Sequence, residues 1–284
     1  MKTILIDLLR TEFDARTAIV LPELSLRFTY LEVRQQVETV AAALSAAGVR
    51  SGDRVGMALP NGLPTIVCFL AASTAGTAAP LNPAYREEEF RFYLEDTAAK
   101  VLLLPPEGAE AARRAAVDRG VPVLTVDMDA AGAMRLSGPA RGGVVVPPAV
   151  DDPALILHTS GSTGRPKRVP LSHANLTISA SNVARTYALT PDDVSLCVMP
   201  LFHVHGLVAS TLATLATGGT VVVPSKFSPL SFWRVRAITV RPGIPRCRPC
   251  ISSCSRAWNA VRRGRPVPSA CDSSGRAARH SRLR

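Results

Sequence analysis

Between residues 53 and 126 short apolar runs alternate with longer segments of helical period, and this alternation constrains the fold more than any other feature of the chain. Residues 54–59 read as a strand closed by the turn Pro60-Asn61-Gly62, and an apolar helix follows over about 64–75 and stops at Gly76. A second strand, 77–81, ends at Asn82-Pro83. Residues 87–96 set Phe90, Phe92, Tyr93 and Leu94 among charges, which predicts a short amphipathic helix. Strand 101–104, helix 107–119 and strand 121–126 repeat the unit. Strands joined by helices of this length pair in parallel, so the expectation is an α/β fold with a parallel sheet covered on both faces.

Residues 132–149, rich in Gly, Pro and Ala, read as a surface connection. The alternation then resumes with strand 154–157, a small-residue loop, strand 169–171 and a helix capped by Ser172. Strand 194–198, an apolar helix over about 206–216 and strand 220–223 complete it. The periodicity stops after Trp233, and the sequence contains no internal repeat.

Charge divides at the same place. The chain carries +11 over 284 residues, which on its own would suggest a nucleic-acid partner. Residues 234–284 hold 13 of the 33 basic residues, all Arg, and one of the 22 acids, Asp272, so the tail carries +12 and the first 233 residues −1. Cysteine follows suit: Cys68 and Cys197 sit alone in apolar stretches, as buried thiols do, while Cys247, Cys250, Cys254 and Cys271 belong to the tail. The start of the chain is too short and too charged for a signal peptide, and no apolar run reaches the roughly 18 residues of a membrane span. The expected location is cytoplasmic.

The chemistry lies at 157–167, LHTSGSTGRPK. Thr159, Ser160, Ser162 and Thr163 supply four hydroxyls, and Gly161 and Gly164 let the backbone approach a ligand closely. Successive amides and hydroxyls of this kind form a concave anion site, to which Lys167 adds a compact positive charge. Pro166 precedes Lys167 and Arg168 follows it, so this is not a Walker loop. A Ser/Gly linker has no reason to follow a buried strand and end in Pro-Lys.

The run 159–167 resembles the phosphate-binding signature of the adenylate-forming superfamily of acyl-CoA synthetases, luciferases and peptide-synthetase adenylation domains. The segments FTYLEV (28–33), GVRSGDRVGMALPN (48–61), PLNPAYREEEFRFYLEDTAAKVLL (80–103) and MPLFHVHGL (199–207) are similar to it as well. The two-histidine form HVHGL most resembles the oxalate-CoA and fatty-acyl-CoA ligase branch. The likeness covers about residues 1–233, and implies a partial amino-terminal AMP-binding domain built of layered βα units.

The resemblance implies a two-step reaction: a carboxylic acid and ATP give an acyl-adenylate and pyrophosphate, and coenzyme A then displaces AMP. The implied cofactors are ATP, Mg²⁺ and coenzyme A, with no nucleic acid among the partners. Thr159, Ser160, Gly161, Ser162, Thr163, Gly164 and Lys167 would hold the ATP phosphates. His203 would be the catalytic-pocket residue beside the acyl substrate and the α-phosphate, and His205 would touch a second polar group of the substrate. His173, at a helix start, reads as structural or solvent-facing. Arg168 departs from the family, which usually has glycine there, and sets a long cation at the exit of the loop.

No segment of the 284 residues resembles the family's later motifs for adenine, ribose and the lid lysine, so the expectation is a ligase by lineage, truncated and catalytically impaired. A non-catalytic nucleotide-binding remnant is the alternative. The spacing Cys247-x-x-Cys250-x-x-x-Cys254 raises a basic zinc or nucleic-acid binder, but the tail has one aromatic residue, Trp258, and no second close pair of ligands. A shifted reading frame explains the tail better. With suitable synonymous codons, residues 242–255 read one base earlier give TWYSAVPTVHQLLL, which resembles acyl-CoA ligases at this distance past the loop. Residues 234–284 are therefore expected to be out of frame and disordered.

Overall fold

The structure, a computed structural model, describes residues 3–138, 143–159 and 166–225. The tail 234–284 and its cysteines lie outside the described residues, as do Ser160, Gly161, Ser162, Thr163 and Gly164.

The first fifty residues, which the alternation leaves unassigned, form an antiparallel pair, β1 (Thr17–Leu21) and β2 (Leu26–Thr29), and a long helix, α1 (Tyr30–Ala46). Thr29 caps α1: its hydroxyl accepts from the Glu32 amide at 3.2 Å, and the Glu32 carboxylate accepts from the Thr29 amide at 2.7 Å. Tyr30, Val33, Val37, Val40 and Leu44 recur at helical spacing and form the buried stripe. The predicted units then appear in order: β3 (Arg54–Met57), α2 (Leu63–Ala75), β4 (Thr77–Pro80), α3 (Glu87–Thr97), β5 (Ala99–Leu104), α4 (Glu110–Asp118) and β6 (Val123–Met128). The expected surface connection contains a further strand, β7 (Met134–Leu136), antiparallel to β6, and at Gly143 it passes against the carboxyl end of α1. Then come β8 (Pro153–Thr159), β9 (Lys167–Ser172), α5 (His173–Thr186), β10 (Val194–Leu196), a π-helical segment His205–Leu212 continuing as α6 (Ala213–Leu215), and β11 (Thr220–Val222).

Among the described residues these strands make two sheets. The larger has the order β7-β6-β5-β3-β4-β8-β9. Its five inner strands are parallel, as the alternation predicts, and both edge strands are antiparallel. The smaller has the order β10-β11-β1-β2 and joins the amino-terminal pair to two late strands, a pairing that local periodicity does not carry.

Strand β5 shows how the larger sheet is covered. Val101 and Leu103 face a core shared with α1 and α2, while Leu102 and Leu104 face a second core built with Phe90 and Leu94 of α3 and Ala112, Ala115 and Ala116 of α4. Period-2 alternation into two cores is what a sheet between two helical layers requires. Helix α2 is apolar nearly all round and buried on almost every side, which suits the central position it holds beside α1 and the larger sheet. Its end is fixed by Gly76: a Cβ there would lie 2.6 Å from the Asp53 carbonyl oxygen, so glycine alone fits. Cys68 on α2 and Cys197 after β10 are buried free thiols; burial pushes the Cys68 thiol far up and the Cys197 thiol up to about 11.

Candidate functional site

Strands β8 and β9 form an antiparallel hairpin whose last pairs are Leu157 with Val169, His158 with Arg168, and Thr159 with Lys167. Thr159 and Lys167, both exposed, stand opposite each other as the last of these pairs. The opposite, amino end of β8 is anchored in the larger sheet. Inner strand β4 pairs with β8, the Ser73 hydroxyl donates to the Ala154 carbonyl at 2.9 Å, and the Thr77 hydroxyl donates to the Pro153 carbonyl at 2.7 Å.

Because β3, β4 and β8 are parallel, their carboxyl ends lie at one end of the sheet, where open α/β sheets bind ligands. The turn after β3 leaves at that end and carries Asn61. Its side-chain oxygen accepts from the Leu201 amide at 2.9 Å, and its amide nitrogen donates to the Met199 carbonyl at 3.4 Å. Asn61 thereby ties the MPLFHVHGL loop, which leaves the smaller sheet after β10, to the end of the larger sheet that bears the hairpin. Sequence reasoning assigned Asn61 only a place in a turn; what could have marked it is a carboxamide at the end of a buried strand.

Within that loop His203 and His205 are exposed. The His203 amide donates to the Pro200 carbonyl at 3.1 Å, its carbonyl accepts from the Leu207 amide at 3.1 Å, and its ring lies 4.4 Å from that of Phe202. Both imidazoles are without side-chain hydrogen bonds among the described residues. Gly206 makes the turn possible: a Cβ there would stand 2.5 Å from the Pro200 carbonyl oxygen and 3.0 Å from that of Met199. The Thr211 hydroxyl donates to the Gly206 carbonyl at 2.8 Å within the π-helical segment, a distortion frequent at functional sites.

His173 is structural and not solvent-facing. It is fully buried, and its Nδ1 accepts from the Leu5 amide at 3.1 Å. Burial lowers its pKa, against weaker opposing effects of the Ser73 backbone, Asp152 and Asp7. His158, which sequence reasoning passed over, points its Nε2 at the Asp96 carboxylate at 2.9 Å. The Arg168 side chain reaches the Asp96 carbonyl at the end of α3.

The sequence profile of the family described as AMP-binding enzyme matches residues 10–247. The chain belongs to this family. Relatives of the chain include a probable CoA ligase CCL9 of Humulus lupulus, 39% identical over 232 residues, and an oxalate–CoA ligase of Arabidopsis thaliana, 41% identical over 215. These alignments cover 78% and 72% of the chain but 44% and 42% of the relatives, so the chain spans less than half the length of the curated relatives it matches. ATP-bound MatB from Rhodopseudomonas palustris superposes with a TM-score of 0.72 at 29% identity, over 84% of this chain and 48% of that one. The MatB structure is ATP-bound, and the two relatives are named as CoA ligases.

Proposed function

We propose that this AMP-binding chain carries the phosphate-binding and acyl-facing part of an acyl-CoA ligase, which joins a carboxylic acid to coenzyme A at the expense of ATP and releases AMP and pyrophosphate. The observation that supports this best is a convergence at one end of a parallel sheet. The hairpin base with Thr159 and Lys167 stands there, and Asn61 ties the loop of His203 and His205 to the same end.

In this reading the hydroxyls and backbone of 159–164, with the Lys167 ammonium, receive the triphosphate. They offset the charge that builds as a carboxylate oxygen attacks the α-phosphorus and pyrophosphate departs. The coenzyme A sulfur then attacks the acyl carbon, and AMP leaves. His203 lines the acyl side of the α-phosphate, and His205 touches a polar group further along the acid. Among the described residues no group of three or more His, Cys, Asp or Glu side chains is gathered to hold a metal, so Mg²⁺ would arrive on the nucleotide's phosphates.

Titration with MgATP and with pyrophosphate tests the site. Lys167→Ala should weaken binding about tenfold or more, the loss of a charge-assisted contact. Equal affinity of the variant and the parent would dispose of the assignment. A second reading is a nucleotide-binding remnant without turnover. Binding without AMP release in the presence of acid and coenzyme A would select it.

A further inference from the structure

The base of the phosphate hairpin is attached to α3 by two independent bonds that converge on one residue. His158 and Arg168 are direct partners across the hairpin, so their side chains leave the same face. His158 Nε2 lies 2.9 Å from the Asp96 carboxylate, and Arg168 Nη1 donates to the Asp96 backbone carbonyl at 2.5 Å. The His158 ring is 92% buried, counting its 8% side-chain exposure, and sits edge-on to Tyr93 at 4.6 Å, with Tyr85 stacked beyond at 4.8 Å. Asp96 stands in the last turn of α3, whose following carbonyls, Thr97 and Ala98, accept from the Arg54 guanidinium. Arg168 thus completes the hydrogen bonding of a helix carboxyl end, where unpaired carbonyls and the helix dipole both favour a cation.

We propose that His158, Asp96 and Arg168 form a clamp that positions the phosphate hairpin. This rests on the reading of 159–167 as the phosphate site. The three are positioning residues: they hold the two strands from which Thr159 and Lys167 project, one residue away on each side.

The geometry sets an uneven pattern of losses. Asp96→Ala removes the carboxylate but leaves the carbonyl, so it should break only the His158 bond. His158→Phe keeps the aromatic contact with Tyr93 and should give the same loss as Asp96→Ala, with no further loss when the two are combined. Arg168→Met should add its own loss to either, and Arg168→Lys should restore most of it.

The test uses the full chain and two readouts. Hydrogen exchange of peptides covering 153–159 and 167–172 should quicken about tenfold in each single variant, the effect of one hydrogen bond to a charged group, while peptides of β1 and β11 stay unchanged. MgATP affinity, measured by titration, should fall about three- to tenfold with an unchanged global unfolding midpoint. Unaltered exchange at the hairpin overturns the clamp. Quicker exchange with unaltered MgATP affinity overturns its positioning role. A parent chain that binds no MgATP refutes the phosphate-site reading and the positioning role with it, and the exchange pattern alone then decides whether the clamp exists.

Discussion

Asn61 and Gly206 show how much of the site depends on single residues with no chemistry of their own. Asn61→Ala leaves the Leu201 amide without its acceptor and should cost about 1–3 kcal/mol of stability. In Gly206→Ala the methyl group would meet backbone rather than a side chain that could turn aside, so the His203 turn must shift, at about 1–3 kcal/mol. Urea unfolding gives both magnitudes; values near zero would mean that the loop is not held as described. His173 supplies a pH dependence. Its folded pKa is lowered from the ordinary 6.5, chiefly by burial, so as pH falls the unfolded chain takes up this proton first. Its contribution to stability is complete above about pH 6.5 and is lost progressively below it. Unfolding midpoints at about pH 7.5 and about pH 5.5 should therefore differ in the parent more than in His173→Gln.

At the scale of elements, the chain places its strongest local signals where the fold needs fixed boundaries. The Thr29–Glu32 capping box starts α1, and Ser172 starts α5 in the same way, its hydroxyl accepting from the Asn175 amide at 3.2 Å. Thr29→Ala should cost about 1 kcal/mol, read as a shift in the unfolding midpoint; Thr29→Ser should recover most of it. The inner strands of the larger sheet were legible because burial on both faces demands continuous apolar runs, as in AKVLLL of β5. Strands β1, β2 and β7 were not. The first two gain their order from pairing across the chain with β11 and with each other, and β7 from lying against β6. The segment His205–Leu212 reads as an apolar α-helix, yet is π-helical where Gly206 packs against Pro200.

For the whole molecule, the described body and the arginine-rich tail pose different questions. The tail's abrupt change of charge, cysteine content and periodicity after Trp233 motivates the reading-frame proposal. Sequencing the gene across codons 230–260 should open a continuous frame encoding TWYSAVPTVHQLLL and, further on, the adenine, ribose and lid-lysine motifs. The frame-restored protein should release AMP and pyrophosphate from ATP, acid and coenzyme A, whereas the 284-residue chain should not. Stop codons within a few dozen bases of the shifted frame, or turnover by the shorter chain, would remove that proposal.

The sequence by itself determined the α/β class, the order of the inner βα units and the position of the hydroxyl-rich run between two strands. Each of these follows from local patterns: hydrophobic period, punctuating Gly and Pro, and a run of hydroxyls ending in Pro-Lys. Only the tertiary structure decided that the amino-terminal strands join β11 and β10 in a second sheet, that Asn61 holds the histidine loop, and that His158 and Arg168 both end on Asp96. These contacts join residues 62 to about 200 positions apart, and hydrophobic period specifies which face of an element is buried but not which distant backbone group its polar side chains will meet.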